Sequence, residues 1–390
     1  MDLQIIRDQT AGCEEAIHFN NAGAALMPKP VASAIRDYIT AEELHGGYET
    51  ADRKREELDL FYQYGARLLN CQSRNIAFTT NATESYNKAL SAIPFKTGDV
   101  ILITANDYPS NYIAFISLQK RFDIKLVRVE NTETGEIDLG DLEEKIRKYS
   151  PRLLSVTHIP TSSGLVQPVA EIGLITRKYN TLYLLDACQS LGQLKVDASL
   201  IGADFISGTF RKFLRGPRGA GILYVSDKAL EAGFEPLFID LHGATWVEEN
   251  KYIPRNDARR FEDWEKGYAL MMGSNAALKY LHEIGIDQIE SRNEILMNKL
   301  RSDLSRINFV KLQDRGQKQC CILTFSCDNR SESETKKYFS ENNIHIYTTP
   351  KANAIIDFME KKLDWVVRVS PHYYNTENEI ERFIQVVENL

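Results

Sequence analysis

Between about Asn75 and Val225 short apolar runs alternate with longer stretches of helix-like spacing. The runs are NIAFTT, DVILITA, KLVRVE, LLSVTHI, TLYLLDA, ADFISGT and AGILYV, rich in Val, Ile and Leu and mostly without polar alternation. Strands covered on both faces read this way, because each side chain meets a helix rather than water. The pattern predicts an α/β fold built on a mainly parallel, helix-covered sheet of seven strands. Only the last link, RKFLRGPRG, is too short for a right-handed helical crossover, so the final strand is expected antiparallel to the one before it.

Beyond this sheet, Phe261 to Leu304 has the spacing of a long helical stretch with a break near Gly285. Strand-like segments follow at CCILTFS, IHIYTT and WVVRVS, and Asn378 to Asn389 repeats Ile380, Phe383, Ile384 and Val387 on one helical face. These elements suit a smaller α+β C-terminal domain. The expected division is a large α/β domain over residues 17–258, a small domain over 259–390, and 1–16 as an N-terminal segment. The chain shows neither an internal repeat nor a low-complexity linker.

A length of 390 residues with 43% hydrophobic and 26% charged positions fits a globular protein of two unequal domains. The formal net charge of -7, without a clustered basic face, disfavours nucleic acid as a partner. No apolar run approaches the roughly 18 residues that span a bilayer, and MDLQIIRDQTAGCEE lacks the basic flank and apolar centre of a signal peptide. A cytoplasmic protein with no membrane partner is expected. The six cysteines show neither a CxxC pair nor histidine spacing, so no zinc site or disulfide framework is implied.

Candidate chemistry gathers at the C-terminal ends of the expected strands, where open α/β sheets bind ligands. In TTNATES, Asn81 stands as a helix N-cap with Glu84 three positions on, a capping-box pattern; the N–H groups of Ala82, Thr83 and Glu84 would suit a phosphate. Capping boxes without ligands are the commoner case. Asp186 ends an apolar strand, where an unpaired carboxylate is costly, so it either caps the following segment or meets a cation. Gln189 is placed to reach the same ligand. In ADFISGTFRKFLRGPRGAG, Thr209 and Arg211 can bind a phosphate, and Lys212 beside Arg211 in a partly dry site would have its amine pKa lowered. Taken singly, an Arg-Lys pair before glycines is more often a solvated loop.

In combination, Asp186 and Lys212, each at a strand end and one expected strand apart, resemble the class V aminotransferase family of fold-type I pyridoxal-phosphate (PLP) enzymes. That family includes cysteine desulfurases, selenocysteine lyases, isopenicillin N epimerase and kynureninase. The resemblance runs from FNNAGAALMPKPV at Phe19 to RVSPHYYNTENEIERF, and is most specific in DACQSLGQLKVD and ADFISGTFRKFLRGPRGAGILYV. It implies Lys212 as the Schiff-base lysine, Asp186 facing the pyridine nitrogen and Gln189 near the phenolic oxygen. It further implies Ala82, Thr83, Thr209 and Arg211 around the phosphate, Tyr108 stacked on the ring, Thr161 also at the cofactor, Arg368 on the substrate α-carboxylate and Asn21 at the substrate entrance. A homodimer acting on an α-amino acid, a small-molecule substrate, belongs to the same implication.

Three departures are visible. Arg211 replaces the histidine common before the lysine, Thr161 stands where many relatives have Asn, and FEDWEKG replaces the threonine-containing stretch through which a neighbouring subunit often reaches the phosphate. The segment between His345 and Trp365 contains no cysteine, whereas persulfide-forming desulfurases carry their acceptor thiol there. The expected reaction is therefore β-elimination from a cysteine-derived substrate without a loop persulfide. Epimerisation and amino transfer share its first step and remain the alternatives within the family; a binding protein that kept the fold and lost the chemistry is the alternative outside it.

Overall fold

The computed structural model describes residues 1–327 and 330–390. Seven strands form the main sheet: β1 (Ile76–Thr79), β2 (Val100–Ile103), β3 (Lys125–Arg128), β4 (Leu153–Thr157), β5 (Leu182–Asp186), β6 (Phe205–Thr209) and β7 (Gly221–Val225). Their order is β1-β7-β6-β5-β4-β2-β3. β7 is antiparallel to both neighbours and every other pairing is parallel, as the short link before it requires. Burial explains the unbroken apolar runs. Successive residues of one strand enter opposite cores: Leu102, Leu185 and Ile206 pack on one face, Ile103, Leu184 and Phe205 on the other. Only the edge strand β3 exposes charge, through Lys125 and Arg128, which discourages pairing with another chain.

The sheet is wound in two directions from β2. The chain moves outward to β3, then returns to the other side of β2 as β4 and continues through β5 and β6. Loops leaving β2 and β4 therefore diverge and open a crevice between them, the place where such sheets accept ligands.

A hairpin of β8 (Ala244–Glu248) and β9 (Lys251–Pro254) follows, and then a second, antiparallel sheet. Its strands are β10 (Val310–Leu312), β11 (Leu323–Cys327), β12 (Tyr347–Pro350) and β13 (Trp365–Val369), in the order β10-β11-β13-β12. Leu296, Leu300, Phe325, Val367, Ile380 and Phe383 fill the core between this sheet and helices Ile286–Leu304 and Glu377–Glu388.

The structure corrects several boundaries. Helix begins at Tyr268 rather than Phe261, because Glu262 is drawn into the interior to accept from Tyr62 Oη at 3.0 Å and Phe78 N at 2.8 Å. Gly285, at φ 90°, breaks the stretch where expected, a conformation that costs glycine little. IHIYTT divides: Ile344–His345 pairs in parallel with Ile17–His18, and only Tyr347 onward joins the second sheet. Cys320 and Cys321 precede their strand rather than belonging to it. The hairpin and β10 had not been read from the sequence.

Arg215 ties the termini to the loop after β6. It is buried, and its guanidinium donates to Leu26 O at 2.9 Å, Tyr373 Oη at 2.8 Å and Thr10 Oγ1 at 2.6 Å. Its charge also lies 4.4 Å from the centre of the Tyr374 ring. Hydrogen bonds from a buried cation are strong, and their loss strands the acceptors. Arg215→Met is expected to cost about 3 kcal/mol of stability, read as a lower urea midpoint at unchanged slope.

Candidate active site

Polar side chains gather where the parallel strands end. Thr157 and Asp186 are register partners closing β4 and β5, and Thr209 closes β6. From β1 the chain turns through Asn81 into helix Ala82–Ser91, close against Gly221 of β7; a Cβ there would lie 2.6 Å from the Asn81 carbonyl carbon. From β2 it passes Asp107 and Tyr108 into helix Pro109–Phe122, with Pro109 presetting the first helical φ. These segments close a narrow cavity lined by Ala82, Thr83, Tyr108, Thr161, Asp186, Gln189, Thr209, Arg211 and Lys212. Every residue expected at the cofactor is there, joined by Asn81, Thr157, Ile159 and Cys188.

The helix N-terminus is narrower as a cradle than the sequence implied. Asn81 Oδ1 accepts from Glu84 N at 2.9 Å, so that N–H is already satisfied. The Glu84 carboxylate turns back to Thr80, accepting from its N–H at 2.7 Å and from its hydroxyl, rather than to Asn81 as a capping box would. The N–H groups of Ala82 and Thr83 remain to meet an anion, with the Thr83 and Thr209 hydroxyls beside them. Arg211 lines the same end, and its guanidinium also donates to Gly23 O.

At the opposite end, Asp186 is 4% exposed and accepts from Cys188 N at 2.9 Å and Asn111 Nδ2 at 3.0 Å. Both donors are neutral, and no cationic side chain pairs with it among the described residues. A buried carboxylate so placed is suited to a positively charged ring nitrogen. Asp107 lies behind it, accepting from Thr104 N at 2.7 Å and Thr157 Oγ1 at 3.4 Å. Burial, with the Asp186 charge adding, pushes the Asp107 carboxyl up to about 7 against those hydrogen bonds.

Lys212 is buried, with Nζ 6.0 Å from the centre of the Tyr108 ring. Burial lowers its amine to about 8; Cys188 and Asp186 oppose the shift, and Arg211 and Arg368 reinforce it. Gln189 Nε2 donates to Ala22 O at 3.2 Å and Thr161 Oγ1 at 3.4 Å, while its buried Oε1 has no partner among the described residues. The donors at one end, the uncompensated carboxylate at the other, the amine between them and this orphaned amide oxygen together fit a phosphate-bearing pyridinium aldehyde.

Arg368 stands next to the cavity on β13. It donates to Thr161 O at 3.0 Å, Thr161 Oγ1 at 2.7 Å and Asn20 Oδ1 at 3.2 Å, with the Tyr347 ring of the paired strand 4.7 Å away. Burial lowers its pKa to about 10. Asn21 is fully buried instead of lining the cavity: its amide donates to Ser370 O at 2.7 Å and accepts from Tyr374 Oη at 2.5 Å. Its neighbours Asn20 and Ala22 make the contacts to Arg368 and Gln189. Asn111, Asp107, Asn20, Tyr347 and Cys188 were not singled out from the sequence. Asp107 and Asn111 flank Tyr108 in NDYPSN, and that proximity was the available signal.

A probable cysteine desulfurase of Methanothermobacter thermautotrophicus is 29% identical, the alignment covering 100% of this chain and 96% of that protein. One from Pyrococcus abyssi is 28% identical over 97% and 94%. The apo structure of a cysteine desulfurase from Thermococcus onnurineus superposes with a TM-score of 0.91 at 25% identity, covering 99% of this chain and 97% of that one. The cystine C-S lyase C-DES shares the fold, with a TM-score of 0.88 at 21% identity over 98% and 100%. The sequence profile of the family described as Aminotransferase class-V matches residues 17–383. The chain belongs to the class-V aminotransferase family, whose cofactor is pyridoxal 5'-phosphate.

Proposed function

We propose that the protein is a carbon-sulfur β-lyase acting on cysteine or a cysteine-derived amino acid. The observation that carries the reading is the convergence of Lys212 and Asp186 on one cavity, with Arg368 beside it and no cysteine between His345 and Trp365. The names borne by the relatives, cysteine desulfurase and cystine C-S lyase, support the same substrate class.

Ala82 and Thr83 N–H, the Thr83 and Thr209 hydroxyls and Arg211 would hold the cofactor phosphate; Asp186 would hold the ring nitrogen, Tyr108 the ring face and Lys212 the aldehyde carbon. Bound there, PLP supplies an electron sink for a carbanion at the substrate α-carbon. Arg368 anchors the substrate carboxylate by a charge-assisted fork, with Thr161 and Asn20 fixing the guanidinium plane. Lys212 Nζ then takes the α-proton. Its lowered pKa leaves roughly a tenth of the amine neutral at pH 7, where an ordinary lysine would have fewer than one in a thousand. Loss of the β-sulfur as a small product, followed by hydrolysis, gives pyruvate and ammonia.

The exposed apolar side chains Leu237 (66%), Phe238 (87%) and Trp246 (78%), within ten positions of one another in sequence, support a second copy of the chain as partner.

Incubating the holoprotein with cysteine or cystine is expected to release pyruvate and a reduced sulfur species in step; racemised substrate without pyruvate would instead make it an epimerase, and dependence on an added keto acid a transaminase. Lys212→Ala is expected to abolish pyruvate release and the borohydride-reducible attachment of PLP. Covalent PLP uptake by apoprotein should accelerate as pH rises through about 8, since the neutral amine is the nucleophile and accumulates above the lowered pKa. Arg368→Gln should raise KM about 30-fold or more with a smaller change in kcat, matching the roughly 2 kcal/mol or more of a bidentate charged pair.

A further inference from the structure

Hydrogen bonds are only part of what holds Arg368 beside the cofactor cavity. Its guanidinium donates to Thr161 O, Thr161 Oγ1 and Asn20 Oδ1, which grip it by its edges. Three of the five N–H groups of a guanidinium are thereby spent. A carboxylate must be met by the rest, and two parallel bonds form only when the guanidinium plane contains both carboxylate oxygens. Acceptors at the edges resist sliding of the group more than they resist tilting of its plane. The tilt has to be set from the face.

Tyr347 stands on that face. It and Arg368 are register partners on the antiparallel strands β12 and β13, so both side chains leave the same side of the second sheet as direct neighbours. The Arg368 guanidinium carbon lies 4.7 Å from the centre of the Tyr347 ring, inside the roughly 6 Å over which an aromatic face attracts a cation. Arg368 is 3% exposed, and such an attraction is strongest for a cation stripped of water. The ring is tethered in its turn. Tyr347 Oη accepts from Asn353 Nδ2 at 3.2 Å, and Asn353 closes the turn Lys351–Asn353 that directly follows β12.

We infer that Tyr347 is a positioning residue for the substrate α-carboxylate: its ring sets the tilt of the Arg368 guanidinium, so that the N–H groups not spent on Thr161 and Asn20 meet both carboxylate oxygens. The inference rests on the reading of Arg368 as the substrate anchor. Tyr347 does not line the cofactor cavity, so its effect reaches the ligand through Arg368.

Titration of the holoprotein with L-alanine and with L-alaninamide, followed by the PLP absorbance, tests the assignment. Neither ligand has a sulfur to lose, and only alanine carries the carboxylate. Arg368→Gln is expected to weaken alanine about 30-fold and to leave alaninamide within about twofold. Tyr347→Leu, which keeps bulk and removes the aromatic face, should weaken alanine about fivefold or more and alaninamide by less than about twofold. Tyr347→Phe, which keeps the face, should bind both ligands within about twofold of the unmodified protein. In the Arg368→Gln background Tyr347→Leu should add nothing, because the two side chains act through one contact. Turnover should show the same division, a raised KM for Tyr347→Leu at nearly unchanged kcat. Tyr347 is partly exposed, so the fold tolerates its replacement, which thermal unfolding checks. Equal weakening of alanine and alaninamide by Tyr347→Leu, an equal loss in Tyr347→Phe, or an effect that persists in Arg368→Gln would overturn the proposal and leave Arg368 as the anchor. Failure of Arg368→Gln to distinguish the two ligands would refute the anchor itself, and the role of Tyr347 with it.

Discussion

A buried carboxylate whose hydrogen-bond donors are both neutral organises the centre of this protein. Asp186 is held at the end of β5 by the Cys188 N–H and the Asn111 amide, both neutral. Removing a carboxylate from water is expensive, and neutral donors offset only part of the cost. The sheet, the helix from Pro109 and the turn at Cys188 hold it there nonetheless. A positively charged ring nitrogen bound there would offset the remaining cost.

The neighbouring groups follow from that arrangement. Lys212 shares the cavity, and burial moves its amine toward neutrality, the form in which an amine can act as a nucleophile. Asp107, behind Asp186, is driven toward its protonated form, which limits repulsion between the two acids. The Thr161 hydroxyl accepts from both Arg368 and Gln189, so the proposed substrate anchor and the proposed cofactor wall share one group. Movement of the Thr161 loop would be felt at both.

The N-terminal segment completes the architecture. Asn20, Ala22 and Gly23 bond to Arg368, Gln189 and Arg211, while Arg215 grips Leu26 and Thr10. Residues far from the sheet in sequence thereby close the cavity, and the second sheet is docked by the same contacts.

The amino-acid sequence alone determined the seven buried strands, the reversal of the last one and the placing of Asp186 and Lys212 at neighbouring strand ends. These rest on local signals: unbroken apolar runs, a link too short for a crossover and motif residues within a few positions of strand ends. Family resemblance, rather than periodicity, pointed to the residues that line the cavity at those strand ends. Tertiary structure decided the rest. Asn21 resembled a cavity residue, yet its amide is spent on Ser370 and Tyr374, more than 300 positions away. Glu84 N–H looked available until the Asn81 side chain reached it, and Asn111 became a partner of Asp186 only once the helix from Pro109 packed beside β5. Short-range patterning records which face of an element is buried; which polar atoms meet across elements depends on distances that folding alone sets.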